Sequence, residues 1–346
     1  MPSPVPTPEA ITRLAGSAPR ALTPLGGGRN SQVFRLETAD GRTLALKAYF
    51  RHAGDSRDRL GTEFGALRFL WEQGIRCVPQ PLALDATTAL GLYEFIPGEP
   101  PCVPQDAELD AAWAFLVTLR KLSSAPTAAR LPLASEAHFS LQEVAAHVQA
   151  RLDRLTTATS EQPLAPELRA FLQRDLIPAW RMLREDCQLA CPRSGVAFDA
   201  PLPDSRRTLS PSDFGFHNAL RRVDGLVFVD FEYFGWDDPA KMLADFLLHP
   251  GMTLSLPQRQ RFANGLVEHL GVEGLQLRAR LCFPLFGIKW CLILLNEFLN
   301  DSLDRRTFAD SAESSTEERQ ALQLGKARQK LQQLLDDHAH FPYFSH

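Results

Sequence analysis

The chain has 346 residues, of which 45% are hydrophobic and 23% charged, a balance typical of one large globular domain or two moderate ones. A formal net charge of -4 and the lack of a lysine- or arginine-rich run argue against a nucleic-acid partner. No basic segment followed by a long apolar core begins the sequence, so no secretory signal is predicted. The most apolar stretch, residues 281–295, contains Pro284 and Lys289 and is too short and interrupted for a membrane span. We therefore expect a cytoplasmic protein with reduced cysteines and no membrane partner.

The first part of the chain predicts a small β-rich unit with one important helix. A short helix begins near the N-terminus, with Thr7 as its cap and Pro8 at its first position. Residues 31–38 and 42–50 flank an Asp-Gly turn, which is typical of a β-hairpin. A helix over 58–73 follows, and further strands are predicted within 77–84 and 88–95.

The Pro-Gly in "IPGEPP" predicts a linker at about 96–106, after which the pattern becomes helical. The last helix begins with a capping box formed by Ser315 and Glu318. Together these patterns predict an α+β protein with an N-terminal lobe, a linker and a helical lobe, over residues 1–96, 97–106 and 107–346. Helices are expected within 108–122, 139–155, 165–185, 239–248, 257–270, 275–299 and 315–336.

A glycine cluster, Gly26, Gly27 and Gly28, stands just before the hairpin and is followed by Asn30 and Ser31. Backbone without side chains can approach phosphate groups, and its N–H groups can cradle an anion. The same cluster is equally typical of a structural turn. It matches neither the dinucleotide-binding pattern nor the P-loop pattern.

Lys47 and Glu63 are charged residues in places that favour apolar side chains. Lys47 shares a strand face with the small, apolar Ala45, and Glu63 falls within the apolar stripe of the 58–73 helix. A buried carboxylate is costly unless it is paired, so one interpretation is an ion pair that directs the lysine toward phosphate oxygens. The alternative is an edge lysine and a carboxylate that are both solvated.

The strongest signal lies in residues 212–246, where Asp213, Asn218 and Asp230 surround a predicted hairpin. The hairpin brings Asn218, just before its first strand, close to Asp230 at the end of its second strand, residues 225–231. An amide oxygen and a carboxylate that converge there would suit Mg²⁺, and Asp213 could then reach a hydroxyl group. Each residue alone is more often a cap or a turn former, but the combined spacing favours a site.

Residues 210–246 resemble the catalytic block of the aminoglycoside phosphotransferase and choline kinase-like family, which has the protein-kinase-like two-lobed fold. The resemblance implies that Asp213 is catalytic, that Asn218 and Asp230 bind the metal, and that Asp245 braces the catalytic loop. It also implies a nucleotide site formed by the glycine loop, by the phosphate-binding lysine with its helix partner, and by the hinge: Gly26, Gly27, Gly28, Asn30, Ser31, Lys47, Glu63, Glu94, Phe95 and Ile96.

The sequence departs from the family pattern in two places. The family usually carries His-Gly-Asp at the catalytic aspartate, and this chain has Pro211, Ser212 and Asp213. The missing histidine is a bracing residue, so its loss leaves the base in place. The second departure is Glu232, where protein kinases carry glycine.

The resemblance implies an ATP- and Mg²⁺-dependent kinase that acts on a small hydroxylated molecule: an amino sugar, an aminoglycoside, a choline-like compound or a saccharide. Asn296, Glu297, Asp301 and Asp304 follow a buried apolar helix and could bind this acceptor, although a solvated helix end would look the same. The alternative function is an inactive nucleotide-binding pseudokinase that acts as a scaffold or regulator. A protein kinase is disfavoured, because no A-P-E-type segment follows Asp230.

Overall fold

The computed structural model describes residues 6–27, 30–51, 57–158, 163–299 and 315–344. Within them, an antiparallel sheet of five strands in the order β1-β2-β3-β5-β4 occupies the N-terminal part of the chain. The predicted hairpin is its centre, and its turn contains Gly41 at a φ of 86°. The strands are β1 (Pro19–Gly27), β2 (Ser31–Thr38), β3 (Thr43–Tyr49), β4 (Pro81–Asp85) and β5 (Leu90–Glu94).

Two helices lie in this N-terminal part, α1 (Pro8–Ala15) and α2 (Arg59–Glu72). The Thr7 hydroxyl caps α1, as predicted, by accepting a hydrogen bond from the Ala10 amide. Leu44, Leu46 and Ala48 of β3 pack in one apolar cluster with α1. Because side chains alternate along a strand, Lys47 faces the opposite side, toward α2.

The predicted linker that follows β5 packs against a second β-hairpin, residues 219–228. Gly98 has a φ of 152°, and a Cβ atom there would lie 2.6 Å from the carbonyl oxygen of Arg221. The Arg221 amide donates to the carbonyl of Glu99 at 2.9 Å, and its guanidinium contacts Glu108. Only glycine fits so close an approach in this backbone conformation.

The rest of the chain is mostly helical. Its two small antiparallel pairs join β6 (Thr208–Ser210) to β9 (Gly235–Asp237) and β7 (Ala219–Arg222) to β8 (Gly225–Phe228). The helices are α3 (Asp106–Leu122), α4 (Leu141–Ala158), α5 (Ala165–Phe171), α6 (Ile177–Arg193), α7 (Pro239–Leu248), α8 (Leu256–His269), α9 (Leu275–Leu294) and α10 (Thr316–His340).

Strands β1, β6 and β9 were not predicted, and Gly26 and Gly27, which were expected in a loop, belong to β1. Two of the predicted elements also have other bounds than expected. The helix expected over 165–185 is divided by a π-helical turn, Leu172–Leu176, and extends to Arg193. The strand expected to include Asp230 ends at Phe228, because Asp230 has a φ of 67° and leaves the extended conformation. The division into lobes at 96 and 106 stays a prediction.

The C-terminal core is organised around α9, which is buried along most of its length. Among the described residues, one helical stretch, Leu275–Phe298, is long and apolar enough to cross a membrane. However, 89% of its most apolar window is buried inside the protein, as expected for a core helix.

Candidate active site

Lys47 makes a buried ion pair with Glu63. Its ammonium nitrogen lies 2.6 Å from Glu63 Oε2, and the two residues are 6% and 4% exposed. The Tyr49 hydroxyl donates to the same carboxylate oxygen at 2.7 Å and lies 2.7 Å from the Tyr93 hydroxyl. Of the two interpretations of the sequence, the structure therefore supports the ion pair, in which Glu63 orients Lys47.

The same ammonium reaches the C-terminal part of the chain. Lys47 Nζ lies 2.7 Å from Asp230 Oδ1 and 3.9 Å from Glu232 Oε2. Burial alone would lower the pKa of Lys47, but the carboxylates of Asp230, Glu63 and Glu232 raise it well above the ordinary value. The lysine is thus held as a cation at the centre of three acidic groups.

Glu232 connects the segment that begins at Asn30 to the segment around Asp230. Its Oε1 accepts a hydrogen bond from Asn30 Nδ2 at 2.9 Å, and Asn30 also donates to the Tyr233 hydroxyl at 2.5 Å. Arg59, the first residue of α2, lies 3.7 Å from the same carboxylate. Glu232 therefore holds both α2 and the glycine-loop segment against the Asp230 segment.

The loop that carries Asp213 is tied to the hairpin through Asn218. The Asn218 side-chain amide donates to the carbonyl of Asp213 at 3.0 Å, and the Val229 amide donates to the carbonyl of Asn218 at 2.9 Å. These bonds place Asp213, Asn218 and Asp230 around one cavity, which all three line. No described residue donates a hydrogen bond to the side-chain oxygen of Asn218, so this oxygen can serve as a ligand.

Lys241 stabilises the loop that carries Ser212 and Asp213. Its ammonium lies 2.6 Å from Asp237 and 3.3 Å from Asp245, and it donates to the Ser212 hydroxyl at 3.0 Å. Asp245, to which the resemblance gave the bracing role, therefore contacts the loop through Lys241. Ser212 itself has a φ of 68°, which is unusual for a residue with a side chain.

Several site residues were not singled out from the sequence. His217 and His249 both contact Asp213, at 3.1 and 3.3 Å from its Oδ1. Burial alone would raise the pKa of Asp213, but hydrogen bonds from the two histidines lower it below the ordinary value. The i,i+4 spacing of Asp213 with His217 was a usable signal. Nothing local in the sequence pointed to His249.

The cavity beside these groups has a volume of about 580 Å³. Asn30 and Ser31 lie at one end, and Asn296 and the buried Glu297 also line it. Gly28, Asp301 and Asp304, which were also expected in the site, lie outside the described residues. Other side chains on the wall come from the loop before α4, from α4 itself and from the last two helices: Ser135, Glu136, Arg151, Arg154, Lys289, Trp290, Gln323 and Lys326.

The expected hinge residues lie at the end of β5, and they do not line this cavity. The Glu94 amide donates to the carbonyl of Gln80 at 2.8 Å, and the Glu94 carboxylate accepts from the Gln80 amide at 3.2 Å. The Glu94 N–H is thus already used within the protein. Phe95 and Ile96 follow outside the strand.

The oxygen atoms around Asp230 fit a divalent cation. The Asp230 side chain is 30% exposed, and both Asp230 and Asn218 line the cavity. Glu232 Oε2 is buried and accepts no hydrogen bond from any described residue. Carboxylate and amide oxygens are the ligands that Mg²⁺ prefers, so the donor set suits this ion.

The fold resembles those of solved small-molecule kinases. It matches the gentamicin complex of APH(2")-IIa with a TM-score of 0.58, at 16% identity and over 94% of each chain. Choline kinase from Cryptosporidium parvum Iowa II gives 0.54, at 13% identity over 92% of this chain and 90% of that one. A putative fructosamine-3-kinase from Thermobifida fusca YX-ER1 gives 0.54, at 19% identity over 91% and 98%. These likenesses confirm the predicted protein-kinase-like α+β fold.

The sequence was also compared with curated proteins and with family models. No curated protein matches the sequence at a significant level. The phosphotransferase enzyme family, APH, matches residues 21–282, which contain nearly all of the sheet, the loop that carries Asp213, and both Lys47 and Asp230. The chain therefore belongs to the phosphotransferase enzyme family.

Proposed function

We propose that this protein is an ATP- and Mg²⁺-dependent kinase that transfers the γ-phosphoryl group to a hydroxyl of a small molecule. One observation carries the proposal. Asp213, Asn218 and Asp230 line one cavity, and Lys47, from a distant strand, is bonded to Asp230 as well as to Glu63. Two structures of the same fold, an ADP-bound APH(2'')-Ib and a streptomycin-ATP complex of APH(2")-IIa, support the use of a nucleotide.

The nucleotide would lie between the sheet and the catalytic loop. The ammonium of Lys47 provides a fixed positive charge for phosphate oxygens, and the backbone of residues 94–96, other than the Glu94 N–H, would meet the adenine edge. Asn218 and Asp230 would hold Mg²⁺, with Glu232 beside them. When bound, this ion neutralises the negative charge of the phosphates.

Asp213 would orient the acceptor. The acceptor oxygen attacks the γ-phosphorus, the bond from that phosphorus to the bridging oxygen breaks, and ADP leaves. The hydroxyl proton passes to the carboxylate of Asp213 as the new bond forms. Because the transition state of phosphoryl transfer is loose, a well-aligned carboxylate is more important here than a strongly basic one.

The acceptor itself would be small. Helix α7 begins at Pro239, soon after Asp230, so this part of the chain leaves little surface for a peptide. The cavity offers an indole, an amide and a carboxylate from Trp290, Asn296 and Glu297. Amino sugars, aminoglycosides, choline-like compounds and saccharides can all use such groups, so these remain the candidate acceptors.

The test compares the wild-type protein with Asp213→Asn. Transfer of ³²P from γ-labelled ATP is measured against a panel of these four acceptor classes with Mg²⁺ present. We expect transfer to at least one class, and a loss of about 10²- to 10⁴-fold in kcat for Asp213→Asn with unchanged ATP affinity. The exposed Asp199→Asn serves as the matched control.

The outcomes separate the two candidate functions. Binding of ATP that tightens with Mg²⁺, without ADP release or a labelled product on any acceptor, would identify an inactive nucleotide-binding scaffold. Turnover that is equal in the wild-type protein and in Asp213→Asn would remove Asp213 from its proposed role.

A further inference from the structure

Two stacked histidines contact the carboxylate of Asp213. The rings of His217 and His249 are 3.8 Å apart with an interplanar angle of 4°. Both direct Nε2 to the same oxygen, Oδ1 of Asp213, at 3.1 and 3.3 Å. Oδ2 of that carboxylate makes no hydrogen bond with any described residue, and the Asp213 side chain is 35% exposed and lines the cavity.

The tautomer of His249 is fixed by its surroundings. The backbone N–H of Gly251 donates to His249 Nδ1 at 3.0 Å, so Nδ1 carries a lone pair and Nε2 carries the proton. Nε2 must therefore donate to Asp213. Asp213, His217 and His249 lie close enough together to hold a metal ion, but in this tautomer the His249 nitrogen that faces Asp213 carries a proton and not the lone pair that a metal needs.

The same Nε2–H tautomer is inferred for His217 from a different observation. Its Nδ1 is buried without a hydrogen bond among the described residues. A buried N–H without a partner is less common than a buried lone pair without one. The proton of the neutral ring therefore belongs on Nε2, where Asp213 accepts it.

Glycines at two positions make room for the pair. A Cβ atom on Gly215 would lie 2.8 Å from His217 Nδ1, and one on Gly251 would lie 2.9 Å from His249 Cε1. Real Cβ atoms do not approach other atoms so closely, so both positions need glycine if the rings are to keep their places. Trp290 packs edge-on against His249, with ring centroids 4.7 Å apart, and closes the outer side.

We propose that His217 and His249 are positioning residues which fix the Asp213 carboxylate, so that Oδ2 alone receives the acceptor hydroxyl. The inference rests on the proposed kinase function. It also accounts for the missing bracing histidine, because Pro211 cannot donate a hydrogen bond and the two rings hold the same aspartate from another direction. Their two N–H groups favour the ionised carboxylate, because a hydrogen bond to a charged acceptor is stronger than one to a neutral acceptor.

The kinetic test uses pairs of substitutions at each histidine. His249→Phe and His217→Phe keep a ring for stacking and lose the donor, whereas His249→Gln and His217→Gln keep an N–H donor. ADP release from Mg·ATP is followed with water as the phosphoryl acceptor. Each Phe variant should lose about tenfold to a hundredfold in kcat, the rate equivalent of one hydrogen bond to a charged group, with KM for ATP unchanged. Each Gln variant should recover most of the loss.

The matched control is His269→Phe. His269 also stacks on an aromatic ring, that of Trp113 at 4.6 Å, but it lies away from the cavity. Its substitution should leave kcat unchanged. If either Phe variant keeps kcat within twofold of the wild-type protein, or if its Gln counterpart is no better than Phe, the proposal is overturned.

A spectroscopic measurement decides the question even if the protein hydrolyses no ATP. Nitrogen-15 NMR of the imidazoles should show the Nε2–H tautomer for both histidines, and Asp213→Asn should shift both Nε2–H signals. An Nδ1–H tautomer, or signals that ignore Asp213→Asn, would overturn the proposed contact. The expected spectra would uphold the contact whether or not ATP is hydrolysed, and the kinase function would then be rejected separately, by the absence of transfer to every acceptor of the panel.

Discussion

Removal of the Lys47 ammonium tests how much this one cation contributes to the stability of the protein by pairing with three buried or partly buried carboxylates. In Lys47→Met the apolar stem is kept and the charge is lost, so Glu63, Asp230 and Glu232, at 2.6, 2.7 and 3.9 Å, lose their shared partner. Breaking a buried ion pair by removing one partner costs about 3–5 kcal/mol. We expect a loss near the lower end, about 3 kcal/mol in the free energy of unfolding at pH 7, because two of these carboxyls can take up protons.

The pH dependence of this loss follows from the acidic partners. Burial raises the pKa of Glu63, and burial together with the charge of Asp230 raises the pKa of Glu232 to about 7. A carboxyl whose folded-state pKa is raised contributes stability below its unfolded pKa and loses it as pH rises through the folded value. Without Lys47 these values rise further, so Lys47→Met should lose more stability at pH 8 than at pH 5.

Urea unfolding followed by circular dichroism measures the effect for Lys47→Met, Glu63→Gln and the double variant. The neutral amide introduced by Glu63→Gln needs no cation, so the double variant should recover at least about 1 kcal/mol relative to the sum of the single losses. The exposed Lys121→Met is the control and should change stability by less than about 1 kcal/mol. Strict additivity, or a loss that does not vary with pH, would refute the shared-cation account.

Two further predictions concern the metal site and the C-terminal helix. Asp230→Ala should abolish the dependence of ATP affinity on Mg²⁺ in isothermal titration calorimetry; a variant in which Mg²⁺ still tightens ATP binding would contradict the ligand assignment. Burial lowers the pKa of Lys330 to about 8, so the unfolded chain binds more protons between pH 8 and 10.5 and stability rises with pH there. Lys330→Met should therefore raise Tm at pH 7, by the equivalent of about 1–3 kcal/mol, and this gain should disappear near pH 10.5; an equal gain at both pH values would contradict the burial account.

The parts of the fold that follow from local patterns were predictable from the sequence. The hairpin of β2 and β3 follows from alternation and an Asp-Gly turn, and the start of α10 follows from its capping box. Lys47 and Glu63 stood out because each is a charge among apolar neighbours. The end of the strand before Asp230 was placed wrongly, because most aspartates do not adopt the left-handed conformation that Asp230 has, so the residue type alone did not reveal it.

The parts of the site that depend on tertiary packing were not predictable. His249 follows α7 and meets Asp213 only because that helix folds back beneath the catalytic loop. The bracing role of Lys241 had a weak local signal, since Asp237 and Asp245 stand four residues to either side of it. Such spacing is as common on solvated helices, and only burial shows that these charges are internal.

The prolines in the edge strands of the N-terminal sheet disfavour strand pairing between two copies of the molecule. Within the described residues β1 and β4 are the two edges, and they contain Pro19, Pro24 and Pro81. Proline has no backbone N–H group, so each edge strand lacks one or more of the donors that a further strand would need for pairing. Leu82 and Leu84 are exposed on β4 and would otherwise favour edge-to-edge aggregation. The prolines thus reduce the tendency of the N-terminal sheet to aggregate through its edges.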